Sequence, residues 1–160
     1  MAKTFPRDAR LARMLGVLRI LHHNGGQADI SELAKLSKSH VDVLLPQITA
    51  AKMLGLITSK KGTFVLTPLG LKVHKNDKSA DMKVLSNLKK YEPFRTAAKK
   101  AESGFSIEDL AVLLTGNGVF WHTNDKKNLE AINDLLVQWG IFFKMASYNW
   151  HQRKWMHAKS

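Results

Sequence analysis

The chain has 160 residues, a length that fits one ordinary domain or two small ones sharing a core. Its hydrophobic fraction of 44% is that of a globular protein; it has no cysteine, and it carries a net charge of +12 with a pI near 10.0. Disulfide frameworks and thiolate metal centres are excluded, and no apolar run approaches a membrane span. The opening MAKTFPRDAR lacks the apolar core of a signal peptide, so a soluble cytoplasmic protein with no membrane insertion is expected. A positive field of this size attracts polyanions, DNA and RNA among them. The excess is greater in residues 1–75, with 12 basic against 4 acidic residues, than in 76–160, with 13 against 9.

Residues 7–23 have helical spacing of Leu11, Met14, Leu15 and Leu18, and NGG at 24–26 ends the helix. Asp29 can cap a short second helix, ISELAKLS. After the turn SKS, a third helix, HVDVLLPQITAAKML, runs up to Gly55. Two strands follow, 56–59 and 63–66, joined by a Lys61-Gly62 turn. Thr67 caps the next helix, with Pro68 at a position where a missing N–H costs nothing. KNDKSA at 75–80 is polar linker, and a helix over about 80–91 stops at Pro93. FRTAAKKAE continues as helix to Ser103-Gly104.

The second half repeats the first. ISELA at 30–34 matches IEDLA at 107–111, and MLGLI at 53–57 matches QWGIF at 138–142. TGNGVFWHT replaces the tight turn, Thr123 caps the long helix NDKKNLEAINDLLVQW, and IFFKM, ASYNWHQ and RKWMH form the second hairpin. The expected fold is mainly α with small β-hairpins, an α+β tandem winged helix-turn-helix. The first repeat covers 1–76, a linker helix 77–92 and the second repeat 93–160. Met82, Leu85 and Leu88 on the linker helix are candidates for self-association, and the oligomeric state is left open.

ADISELAKL, VDVLLPQITAAKMLGLI, FVLTPLG, YEPFRTAAKK and LLVQWGIF together resemble the AAA-associated C-terminal domain, over about residues 10 to 157. The resemblance implies a winged-helix domain of the kind appended to ATPase subunits of nitrate/sulfonate/taurine-type ABC transporters. Pro46 and Pro93 correspond to that family's two prolines. The chain departs from the pattern in two ways. Nothing in it matches the phosphate-binding G-x-x-x-x-G-K-[ST] loop, and it is strongly basic where the appended domains are mostly acidic.

In a helix-turn-helix the first turns of the third helix reach base edges, which Arg, Lys, Asn, Gln, Ser or Thr read. Here the outward positions, counted back from Gly55, are Val41, Asp42, Val43 and Pro46. Valine and proline offer bases no side-chain hydrogen bond and Asp42 repels phosphate, so Val41, Val43 and Pro46 are assigned to protein contact. The second repeat's long helix presents Lys126, Lys127 and Asn128, then Glu130 and Asp134. Its lysines can meet phosphates, or form part of a solvated polar face. The second wing mixes Tyr148, Trp150 and Trp155 with His151, Arg153, Lys154 and Lys159, a pattern that can grip a backbone and stack on unpaired bases. Alternation predicts Trp155 buried and Trp150 exposed. Lys60 and Lys61 at the first wing tip, and Arg7, Arg10, Arg13 and Arg19 on the first helix, are further phosphate candidates.

No metal site, cofactor or catalytic set is expected. The seven histidines lack H-E-x-x-H spacing, and neither Glu32 nor Glu108-Asp109 has a readable partner. The leading expectation is a non-enzymatic protein that binds DNA or RNA through backbone charge and shape. The alternative is a protein-interaction or regulatory module, for an ABC-type ATPase or another assembly.

Overall fold

Met14, Val17, Leu18 and Leu21 form one buried stripe along α1 (Leu11–His23) in the computed structural model, which describes residues 3–158. Lys159 of the second wing lies outside the described residues. Gly25 and Gly26 follow at positive φ and turn the chain into β1 (Gln27–Asp29). Helix α2 (Ile30–Ser37) starts with a capping box: the Asp29 side chain accepts from the Glu32 amide at 2.8 Å, and the Asp29 amide donates to Glu32 Oε1 at 3.2 Å. Such a cap contributes on the order of 1 kcal/mol. Lys38, left-handed at φ 54°, closes α2, and α3 (Val41–Met53) follows. The hairpin of β2 (Ile57–Lys60) and β3 (Thr63–Leu66) completes an antiparallel sheet in the order β1-β3-β2. Helix α4 (Pro68–His74) is capped by Thr67, whose Oγ1 accepts from the Gly70 amide and donates to the Gly55 carbonyl. Gly70 is packed against the Leu56 carbonyl, where a Cβ would collide.

A 3₁₀ turn at Lys78–Ala80 leads into α5 (Asp81–Leu88). The chain divides into two compact units here. The N-terminal unit is Asp8–Asn87; the other contains the described residues before Asp8 and those from Leu88 on. The expected linker helix over 77–92 is therefore shared out. Asn87 belongs to the first unit, where it donates to the Leu54 carbonyl at 2.8 Å, and Arg7 belongs to the second. Met82 is exposed, but Leu88 is fully buried and cannot serve a self-association surface.

In the C-terminal unit, Phe5 meets Phe94 and Trp139 edge to face, with ring centres 5.3 and 4.8 Å apart. Around this cluster run α6 (Phe94–Lys100), α7 (Ile107–Gly116) and α8 (Asp125–Leu135). Asn124 caps α8, not Thr123: its Oδ1 accepts from the Lys127 amide at 3.0 Å. A π-helical turn, Leu136–Gly140, extends α8, and IFFKM continues as helix and turn instead of joining the hairpin. The hairpin is β4 (Ala146–Asn149) and β5 (Lys154–His157).

The α+β class expected from the sequence holds, with eight α-helices and two small antiparallel sheets among the described residues. Two stretches of the chain share local hydrogen-bond patterns, in a register that differs from the sequence match. Ser106 caps α7 as Asp29 caps α2, just before IEDLA and ISELA respectively. MLGLI and QWGIF are out of register. The amides of Leu54, Gly55 and Leu56 bond to Ala50, Lys52 and Ala51, and the same pattern recurs for Phe143, Lys144 and Met145 with Trp139, Ile141 and Gly140. Lys144, at φ 59°, takes the place of Gly55 at φ 76°. The pairing of Ala28 with Phe64 recurs as the bridge between Phe105 and Trp155.

Candidate functional site

Of the four positions expected outward on α3, Val41 and Asp42 are exposed. Val41 is 40% exposed and Leu45 47%, and Asp42, Thr49 and Lys52 share their side. Val43 and Pro46, assigned to protein contact, are half-buried. Gln47, a natural base-reading residue by type, is 1% exposed and points inward. Its Oε1 accepts from the Arg10 amide at 2.7 Å, and its Nε2 donates to the carbonyls of Asp8 at 3.1 Å and Val43 at 3.2 Å. The one amide side chain suited to adenine is thus spent on holding the start of α1 against α3.

The cationic candidates are exposed. Arg10, Arg13 and Arg19 lie at and along α1, and Arg13 and Arg19 border a groove. Lys60 and Lys61 occupy the tip of the first hairpin, where Lys61 and Gly62 both have positive φ. These two residues fit the turn that right-twisted hairpins prefer. Arg7, Lys126, Lys127, Arg153 and Lys154 are exposed in the other unit. The Lys127 amide is already taken by Asn124, which leaves less of the α8 N-terminus for a phosphate. Asn128, expected outward, is buried, and its Oδ1 accepts from the amides of Trp121 and His122 to hold the TGNGVFWHT loop.

The C-terminal unit instead presents apolar surface. Seven of the eleven large hydrophobic side chains exposed among the described residues lie there. Val112, Val137, Ile141, Phe142 and Trp150 are prominent among them. The π-helical turn accounts for part of this. Leu136, Trp139 and Phe143 point inward while Val137, Ile141 and Phe142 stay outside. Such widened turns break the regular helical phase and are common at functional sites. Trp150 is 81% exposed at the hairpin tip and Trp155 is 2% exposed, as alternation predicted. Tyr148 bridges them edge to face, 4.8 Å from Trp150 and 5.6 Å from Trp155. A groove of about 490 Å³ runs between Ile107, Val137, Ile141, Tyr148 and Trp150, with Arg153 on its rim. A second of about 490 Å³, lined by Ala111, Val112 and Leu129, lies between α7 and α8, and Glu108 borders both. Sequence reasoning missed the first of these grooves because it placed IFFKM in the hairpin. The apolar residues Val137, Ile141 and Phe142 were the available signal.

His22, His23 and His74 form a cluster in the N-terminal unit, with His22 and His74 ring centres 4.9 Å apart. Burial pushes the His74 imidazole below its ordinary value, and His22, His23, Arg19 and Lys75 add repulsion in the same direction. Among the described residues no group of histidines and carboxylates has metal-holding geometry, and no helix is long and apolar enough to cross a membrane.

The family model of the C-terminal AAA-associated domain matches residues 31–149. No match emerges among curated proteins or solved structures.

Proposed function

Because the chain belongs to the C-terminal AAA-associated domain family, we propose that it is a non-enzymatic contact module that docks on an ABC-type ATPase. The observation that carries this reading is the apolar surface of the C-terminal unit, formed by Val137, Ile141, Tyr148 and Trp150. Exposed apolar side chains of this size gain from burial against a partner, and a tryptophan set in a groove is a common hot spot. A helix laid between α8 and the hairpin would cover these residues with alternate turns. Residues 1–160 carry no phosphate-binding loop, so in this reading the ATPase lies outside them. The site of action is the cytoplasm, where such ATPase subunits work.

A second reading is favoured by the charge of +12 and by the exposed Lys60, Lys61, Arg153 and Lys154: binding of DNA or RNA through the phosphate backbone. In that mode there is little sequence preference, because Val41, Asp42 and Leu45 on the outward side of α3 cannot form bidentate pairs with bases.

One experiment separates the two. The full chain is used to capture partners from native lysate with and without nuclease, beside a Val137→Ser/Ile141→Ser/Trp150→Ser variant. The contact reading expects an ABC-type ATPase that survives nuclease and is lost with the variant. Capture that nuclease abolishes, and that the variant retains, favours the nucleic-acid reading instead.

A further inference from the structure

The N-terminal unit has a groove of its own, about 470 Å³, between α1 and the turn that joins α2 to α3. Its lining is mixed: Val17, Ile20, Leu36 and Val43 give an apolar floor, and Ser37, Ser39 and Gln47 are polar. Arg13, Arg19 and His40 supply its titratable groups, and no carboxylate borders it among the described residues. Gly16 lies on the same wall, in the middle of α1. A glycine inside a helix weakens that helix relative to alanine. A Cβ at Gly16 would meet no atom within 4 Å, so packing within the chain does not require glycine here. The missing side chain keeps the groove wide where α1 would otherwise narrow it.

We propose that this groove docks an acidic amphipathic segment of the partner protein, with its apolar side chains on the floor and its carboxylates on Arg13 and Arg19. The proposal rests on the contact reading above and adds a second site to it. Charge complementarity selects the occupant. Guanidinium groups pair with carboxylates in bidentate geometry, and a basic segment would be repelled. A nucleic-acid backbone would use the two arginines and leave the apolar floor without a role. Gly16 supports a close approach by a peptide, whose side chains enter where a Cβ would stand.

The test is a random-peptide display selection on the full chain, counter-selected against an Arg13→Ala/Arg19→Ala variant. The enriched peptides should be rich in Asp and Glu, interleaved with apolar residues. A synthetic peptide of the enriched sequence should bind the double variant at least about tenfold more weakly. Leu36→Ser should weaken it as well. Gly16→Ala should raise the melting temperature of the protein while lowering peptide affinity, a pairing that a purely structural role for Gly16 does not produce. Trp150→Ala should leave peptide affinity unchanged, so failure of this groove and failure of the α8–hairpin contact are separate results. The proposal is overturned if no arginine-dependent sequence is enriched, or if the enriched peptides are neutral or basic. It is also overturned if duplex DNA displaces the peptide with an affinity that Arg13→Ala lowers and Leu36→Ser does not.

Discussion

Replacing Gln47 with alanine should destabilise the N-terminal unit by about 2–3 kcal/mol. Gln47 is buried, and its amide uses both ends: Oε1 takes the Arg10 amide at 2.7 Å, and Nε2 gives to Asp8 and Val43 at 3.1 and 3.2 Å. Each bond contributes about 1 kcal/mol net, and the truncation adds a small cavity. Against this, Asp8 and Arg10 lie at the surface, where water can replace part of what is lost. For a unit of this size each kcal/mol corresponds to roughly 4–8 °C, so the melting temperature should fall by roughly 10–20 °C. Urea unfolding followed by far-UV circular dichroism measures the change directly. Tryptophan fluorescence reports on the other unit, because Trp121, Trp139, Trp150 and Trp155 all lie there. Gln47→Glu should be no better than alanine: it keeps the acceptor for Arg10 but faces the Asp8 and Val43 carbonyls with another acceptor. A Gln47→Ala protein within about 0.5 kcal/mol of the parent would refute the idea that this amide clamps α1 to α3. The wall of the arginine-bordered groove would then need another support.

Thr67→Ala removes both the cap on Gly70 and the bond to Gly55, and should cost about 1–2 kcal/mol by the same urea assay. Gly70→Ala drives a Cβ into the Leu56 carbonyl and should abolish folding of the N-terminal unit, seen as loss of helical circular dichroism. Because the folded chain holds His74 below its ordinary value, the unfolded chain binds protons that the folded chain refuses. Stability should therefore fall as pH drops through about 6.5. His74→Phe should flatten that slope, and an unchanged slope would contradict the assignment. Trp150→Ala should leave stability within about 0.5 kcal/mol while reducing partner capture, since the ring touches mainly Tyr148.

Local chemistry was legible where one residue type has one use. Asp29 with Glu32 reads as a capping box, and Thr67-Pro68 reads as a helix start; both occur. Strand 63–66 was set by the Lys61-Gly62 turn on one side and Thr67 on the other. Reading failed where an unusual residue filled a usual role. Glycine marks a helix end because it adopts positive φ at little cost, and the match of QWGIF to MLGLI puts that mark at Gly140. Lys144 does so instead, and Gly140 remains inside the π-helical turn. That substitution displaced the repeat alignment and concealed the outward positions of Val137, Ile141 and Phe142. Gln47 was missed for a related reason. A polar residue on a helix reads as outward until a partner for each of its atoms is found, and Arg10 and Asp8 supply those partners from 37 and 39 residues away.

The contact account is tested most directly by hydrogen–deuterium exchange of the full chain, alone and with the ABC-type ATPase that it captures after nuclease treatment. The account predicts slowed exchange at backbone amides over residues 137–157, covering the end of the π-helical turn and the second hairpin, and no such change with the Val137→Ser/Ile141→Ser/Trp150→Ser variant. Unchanged exchange over 137–157 in the presence of the ATPase, with protection appearing only when duplex DNA or RNA is added at low salt, would contradict it.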